Sequence, residues 1–174
     1  MPDLTIKPMK IKDIPFIMGA LVKEAHNKHF TSKLLDEKEQ FKMADQFKSC
    51  IRLSWIGFKR KIIIDVLKSG ATGEQIGFIW TIEKLGVTVN DNKPLSEIFA
   101  LYIHDDFRNK QLSLKLINHV RNKLPGHYIT ARCLYSSGRM RDILLKNGFS
   151  LKGVEPNGTS LLFAEPLDTK MPQC

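Results

Sequence analysis

Glu97-Ile98-Phe99-Ala100-Leu101-Tyr102-Ile103 is followed directly by His104-Asp105-Asp106-Phe107-Arg108-Asn109-Lys110-Gln111-Leu112-Ser113. The first run is apolar on both faces, the pattern of a central strand covered on either side. The second reads as a short loop opening a helix, because Leu112, Leu116, Ile117, Val120 and Leu124 recur at three- and four-residue intervals up to Pro125-Gly126, which cannot continue it. A buried strand, a tight loop and a helix start make a natural phosphate site. The first helical amides have no intrahelical partner and point outward, and the helix dipole adds partial positive charge. Arg108, Lys110 and Lys115 add full charges nearby.

Working outward, residues 61–67 (KIIIDVL) and 75–82 (QIGFIWTI) are β-branched and aromatic runs separated by Ser69-Gly70-Ala71-Thr72-Gly73, which predicts an antiparallel hairpin. A polar loop at residues 90–94 leads into the central strand. Before the hairpin, residues 4–7 alternate like a short strand. Asp13 ahead of Pro15 marks a helix start, with the aspartate accepting from a first-turn amide, and the helix runs to about residue 27. A second helix is expected between residues 36 and 53, its apolar stripe made of Phe41, Ala44, Phe47 and Ile51. Downstream, residues 128–133 form a strand, and Ser136 or Ser137 caps a helix that Asn147-Gly148 ends in a left-handed turn. Residues 149–154 and 160–163 close the chain as two strands. The order β-α-α-β-β-β-α-β-α-β-β, without repeat or linker, predicts one α/β (α+β mixed) domain over residues 1–174, with helices packed on a mixed sheet.

The stretch Ile103-His104-Asp105-Asp106-Phe107-Arg108 resembles the coenzyme A motif of the GNAT acetyltransferase superfamily. In that motif a central strand ends in an "L-x-V-H-P" type segment and enters "R/Q-x-x-G-x-G/A". Arg108 stands at the R/Q position, while Gln111 and Ser113 replace the two usual glycines. The element order from residue 4 to about 163 is also similar, as is Gly148-Phe149, the "GF" that closes the helix after the next strand. The resemblance implies a mostly antiparallel sheet of six to seven strands with about four helices on its faces, and acetyl-CoA as acyl donor. It implies that the amides of Asn109, Lys110, Gln111, Leu112 and Ser113 receive the pyrophosphate, and that the backbone of Leu101, Tyr102 and Ile103 pairs with the pantetheine arm. It makes Glu97 the general base, acting directly or through water; the residue taken alone also reads as an exposed carboxylate at a strand end. Along the family pattern "N-x-x-A-x-x-x-Y-x-x-x-G-F", Ser137 stands at the asparagine, Met140 at the small residue and Leu144 at the tyrosine that serves as acid. Tyr135 and Tyr102 are then the candidate phenols. The implied activity is transfer of an acetyl group to an amine of a small molecule, peptide or protein. The alternatives are a binding module that has lost transfer and a GNAT-type protein directed at DNA or tRNA.

Composition bounds the rest. Hydrophobic residues are 43% and charged residues 26% of 174, a globular balance, and 27 Lys and Arg against 18 Asp and Glu give a formal charge of +9. That excess favours polyanions, yet it is spread along the chain, and no nucleic-acid-binding signature accompanies it. Trp55, Phe58 and Trp80 beside Lys59, Arg60 and Lys61 are either a surface for nucleic acid or sheet packing beside a turn. Cys50, Cys133 and Cys174 have neither disulfide nor metal-ligand spacing, so no metal is expected, and the absence of a secretory pattern or apolar span points to a cytoplasmic protein. His26 and His29 read as complements to a helix C-terminus. Exposed sheet edges make a homodimer one expected assembly.

Overall fold

The computed structural model describes residues 3–55, 62–88 and 90–167. The chain runs through β1 (Leu4–Pro8), α1 (Ile14–His26), α2 (Glu37–Trp55), β2 (Ile62–Ser69), β3 (Gln75–Val87) and β4 (Pro94–Ile103). It continues through α3 (Leu112–Lys123), β5 (Tyr128–Cys133), α4 (Gly138–Lys146), β6 (Ser150–Val154) and β7 (Ser160–Ala164). The strands form one sheet in the spatial order β1-β2-β3-β4-β5-β7-β6, antiparallel at every step except β4 to β5. That parallel step requires a crossover, and α3 supplies it.

The helices divide the core in two. Alternating side chains on β2 to β4 send Val66, Phe78, Trp80 and Tyr102 toward α1 and α2, where Ile17, Leu21 and Phe47 meet them. Leu67, Ile79, Ile98 and Ile103 face α3 and α4, against Leu116, Ile117 and Leu144. Both faces of β4 are thus engaged, as its doubly apolar sequence requires. On the α3 side the buried Asp65 of β2 receives His119 Nε2 at 3.1 Å and Lys123 Nζ at 2.8 Å, both from one face of α3. Burial alone would raise this carboxyl, but the bonds from His119 and Lys123 outweigh it and hold Asp65 below the usual aspartate range.

Several boundaries and contacts differ from the sequence-based expectation. β3 runs on to Val87 and β4 begins at Pro94, because Gly86 and Val87 pair with Leu95 and Pro94 beyond an irregularity at Lys84, whose φ is +52°. Asp13 does precede α1, but its carboxylate makes no capping bond there. It lies fully buried, accepts from the Lys10 amide at 2.9 Å and Gln75 Nε2 at 3.0 Å, and pairs with Lys68 Nζ at 2.6 Å. Cross-chain charge outcompeted the local cap. Phe41 is 71% exposed and leaves the expected stripe of α2, since six residues carry it about 120° around the helix from the buried Phe47. Phe58 and residues 59–61 lie outside the described residues, as does the side chain of Trp55, and Trp80 is buried in the sheet against Phe47.

Candidate active site

The site originates in a defect of the sheet. Trp80 faces Ala100 and Thr81 faces Ile98, so Phe99 is an extra residue, a bulge that bends β4. The parallel pairing of β4 with β5 covers Leu95 to Ile98 and stops at the Ile98–Ala131 pair. Beyond it β4 continues to Ile103 paired only with β3, and β5 continues to Cys133 paired only with β7. The two strands part, and the backbone of residues 100–103 is left with one unpaired edge inside the molecule. Gly77 seats the other edge: a Cβ there would stand 2.4 Å from the Tyr102 carbonyl oxygen.

A cavity of about 530 Å³ occupies the gap. Leu101, Tyr102 and Ile103 line it on the β4 side, Arg132 and Cys133 on the β5 side, and Arg108, Asn109, Gln111, Leu112 and Ser113 at the start of α3. Ser137, Arg139 and Met140 of the α4 region complete that end. Gln111 is the N-cap of α3 and its side chain makes no capping bond, so the amides of Leu112, Ser113 and Leu114 have no partner within the helix. Gln111 has φ +57° and Asn109 φ +64°. Gln111 therefore takes the left-handed conformation that a glycine would supply without strain.

The charges are placed differently from the sequence expectation. Arg108 donates Nε to the Ile103 carbonyl at 3.2 Å and pairs with Asp105 at 2.8 Å and Glu24 at 3.3 Å. It locks the β4–α3 loop onto α1 instead of offering free charge. Lys110 reaches back to the Asp106 carbonyl at 3.2 Å and stands outside the cavity lining, and Lys115 turns to the Leu4 carbonyl at 3.2 Å. Arg139 and Arg132 are lining cations that sequence reasoning missed. Arg139 comes from α4 and donates to the Asn109 side chain, bridging the two helix starts. Only the spatial meeting of α3 and α4 exposes that role.

Glu97 does not lie at a strand end. It is the fourth residue of β4, beside Thr130 of β5, and it is buried. No hydrogen bond reaches its carboxylate among the described residues; Arg132 Nε stands 3.5 Å away. Burial pushes the carboxyl up and Arg132 only partly offsets this. Glu97 is outside the cavity lining, but its neighbours Ile98 and Phe99 are part of it. Tyr135 is 84% exposed, packs beside Gly158 and does not line the cavity, so it is not brought to the other site residues. The phenol that does line it is Tyr102, held by Phe16 and Phe78, with its hydroxyl pushed up by burial. Leu144 is buried in the core. His29 Nδ1 meets Glu24 Oε2 at 2.8 Å at the end of α1.

No known family model matches this sequence, and no curated protein does. Solved structures match over nearly the whole chain. PaiA N-acetyltransferase from Thermoplasma acidophilum, in complex with coenzyme A, is 13% identical with a TM-score of 0.69, covering 94% of this chain and 99% of that one. The ribosomal-protein-S18-alanine N-acetyltransferase from Escherichia coli is 14% identical with a TM-score of 0.62, covering 99% of each chain. The Salmonella typhimurium protein yncA, with acetyl-CoA, is 13% identical with a TM-score of 0.66, again over 99% of each. With the sheet order β1-β2-β3-β4-β5-β7-β6 and helices on both faces, matched over nearly its whole length by solved acetyltransferase structures, one of them described as of the GNAT family, the chain has the GNAT fold.

Proposed function

We propose that this protein is an N-acetyltransferase that moves the acetyl group of acetyl-CoA directly to an amine. The observation that carries the reading is the parting of β4 from β5, which leaves an unpaired backbone edge inside a cavity leading to an uncapped helix start. These parts fit the donor. The edge at Leu101, Tyr102 and Ile103 would pair with the amides of a pantetheine arm as an added strand does. The amides of Leu112, Ser113 and Leu114, with the positively charged Arg139 beside Asn109, would hold a pyrophosphate, and Ser137 closes that pocket. When bound, acetyl-CoA supplies an acetyl thioester, a group open to attack by amines and left by a good thiolate leaving group.

The protein's own residues do the proton work. An amine attacks only when neutral, so its nitrogen bonds to the acetyl carbon as its proton passes to Glu97, directly or through water, and the carbon–sulfur bond breaks. Burial without a hydrogen-bond donor makes the Glu97 carboxylate a stronger base than an exposed glutamate. Tyr102 stays protonated at neutral pH, its hydroxyl raised by burial, and is the phenol that can return a proton to the sulfur. A second reading, a binding protein without transfer, is favoured by Leu144 filling the core and Tyr135 facing solvent.

Titration with acetyl-CoA at two salt concentrations, followed by thiol release in the presence of an amine panel, separates the readings. One-to-one, salt-weakened binding with release supports transfer, and binding without release supports the second reading. Absence of binding sinks both. Glu97→Gln should slow transfer by about 10²–10⁴-fold with cofactor affinity retained, and an unchanged rate would remove Glu97 from the mechanism.

A further inference from the structure

The acceptor end of the cavity carries a charge pattern of its own. β5 alternates, so Ala131 and Cys133 face α3 and α4 while Thr130 and Arg132 face the opposite side of the sheet. Glu97, paired with Thr130, points to that same side. So does Phe99, which meets Phe30 edge-on at 5.7 Å and Trp80 at 4.6 Å. The sheet thus separates Arg132 from the start of α3 and places it with Phe30 and Phe99 in the cavity wall, just past the point where β4 and β5 part, with Glu97 beside it in the last paired stretch of β4, outside the lining itself.

The cations lining this cavity are not equivalent. Arg108 is held by Asp105, Glu24 and the Ile103 carbonyl, and Arg139 by Asn109. The Arg132 side chain is 62% exposed, makes no hydrogen bond among the described residues, and approaches Glu97 only through Nε. The two terminal nitrogens of its planar fork remain open, the geometry that takes a carboxylate through two parallel hydrogen bonds. A base and an open guanidinium a few ångströms apart on one face suit a ligand with an amine and an anion at matching separation. The neighbouring Phe30 and Phe99 suit an apolar side chain.

Resting on the acetyltransferase reading, we infer that the acceptor is a zwitterionic amine of the α-amino acid class with an apolar or aromatic side chain. Its amine lies at Glu97, its carboxylate on Arg132 and its side chain against Phe30 and Phe99. Arg132 is then the specificity-determining residue, and polyamines and other purely cationic amines are disfavoured by it.

Three probes of one shape decide the matter: L-phenylalanine, L-phenylalaninamide and phenethylamine. Each is titrated calorimetrically into the protein with and without saturating coenzyme A, and each is assayed for acetyl-CoA-dependent thiol release, in the native protein, Arg132→Gln and Arg132→Lys. The expected result is an affinity for phenylalanine about tenfold or more above that for the amide and the bare amine. This advantage collapses toward unity in Arg132→Gln and is partly restored in Arg132→Lys. Equal affinities for the three, preference for the bare amine, or an advantage that survives Arg132→Gln overturns the inference, even if acetyl transfer is found. If no amine is acetylated yet phenylalanine keeps an Arg132-dependent advantage in the titration, the transfer reading fails and the ligand assignment stands.

Discussion

Replacing Gln111 by glycine should stabilise the protein, an unusual outcome for a substitution in a loop that lines the candidate site. Gln111 sits at φ +57° as the N-cap of α3, and its side chain makes no capping bond that glycine would lose. The left-handed conformation costs a residue with a Cβ about 1–2 kcal/mol. Glycine removes that strain but brings about 0.5–1 kcal/mol of extra chain entropy to the unfolded state, and it is well tolerated at an N-cap. The difference is a gain of about 0.5–1 kcal/mol, or about 1–4 °C in Tm for a chain of this size. Urea unfolding of the native protein, Gln111→Gly and Gln111→Ala at a shared m-value reads it out. Alanine keeps the strain and should show no gain. If glycine destabilises, or alanine gains as much, then the positive φ is not where the strain resides.

Three further outcomes follow from the packing. Gly77→Ala places a Cβ 2.4 Å from the Tyr102 carbonyl oxygen and 2.8 Å from Ile103 Cδ1, so it should destabilise by about 1–3 kcal/mol, and an unshifted urea midpoint would show that β4 yields freely there. Asp65→Asn should cost about 1–2 kcal/mol at pH 7, because bonds from His119 and Lys123 to a carboxylate are lost and both partners are part-exposed. The folded-state pKa of Asp65 is depressed, so its contribution is present above the ordinary aspartate range and is lost as pH falls through it; the gap between native and Asp65→Asn unfolding curves should close below about pH 4, and a pH-independent gap would refute this. In a variant retaining Cys133 as its sole cysteine, burial pushes the thiol up to about 11, so at pH 8 only about one thousandth is thiolate and a disulfide reagent should label it far more slowly in the folded than in the urea-unfolded protein; equal rates would refute the burial.

The architecture was legible because its signals are local and redundant. β2, β3 and β4 have β-branched or aromatic runs and the helices have periodic stripes, and turn residues separate them, as at Ser69 to Gly73 and Asn147-Gly148. The site was legible where it is backbone, since a strand-loop-helix junction implies free amides whatever the side chains are. It was less so where side chains choose partners from distant elements. Asp13 sits where a cap belongs but is drawn to Lys68, 55 residues away. Arg108 lines the cavity but is spent on Glu24 and Asp105, and the other cations in its wall, Arg132 and Arg139, belong to elements whose meeting no short motif records. The bulge at Phe99 was also invisible, because an extra residue in an apolar run leaves the composition unchanged.

The parted strands have a mechanical consequence. Four residue pairs, Leu95 to Ile98 against Tyr128 to Ala131, carry the strand pairing between the β1–β4 half of the sheet and the β5–β7–β6 half. The sheet is in effect two leaves on a short spine, and a pantetheine arm lying between them would be the missing slat. A guest that completes the backbone pairing also ties the leaves together. In the proposed complex, gain and loss of the carrier would therefore be coupled to the relative position of the two leaves.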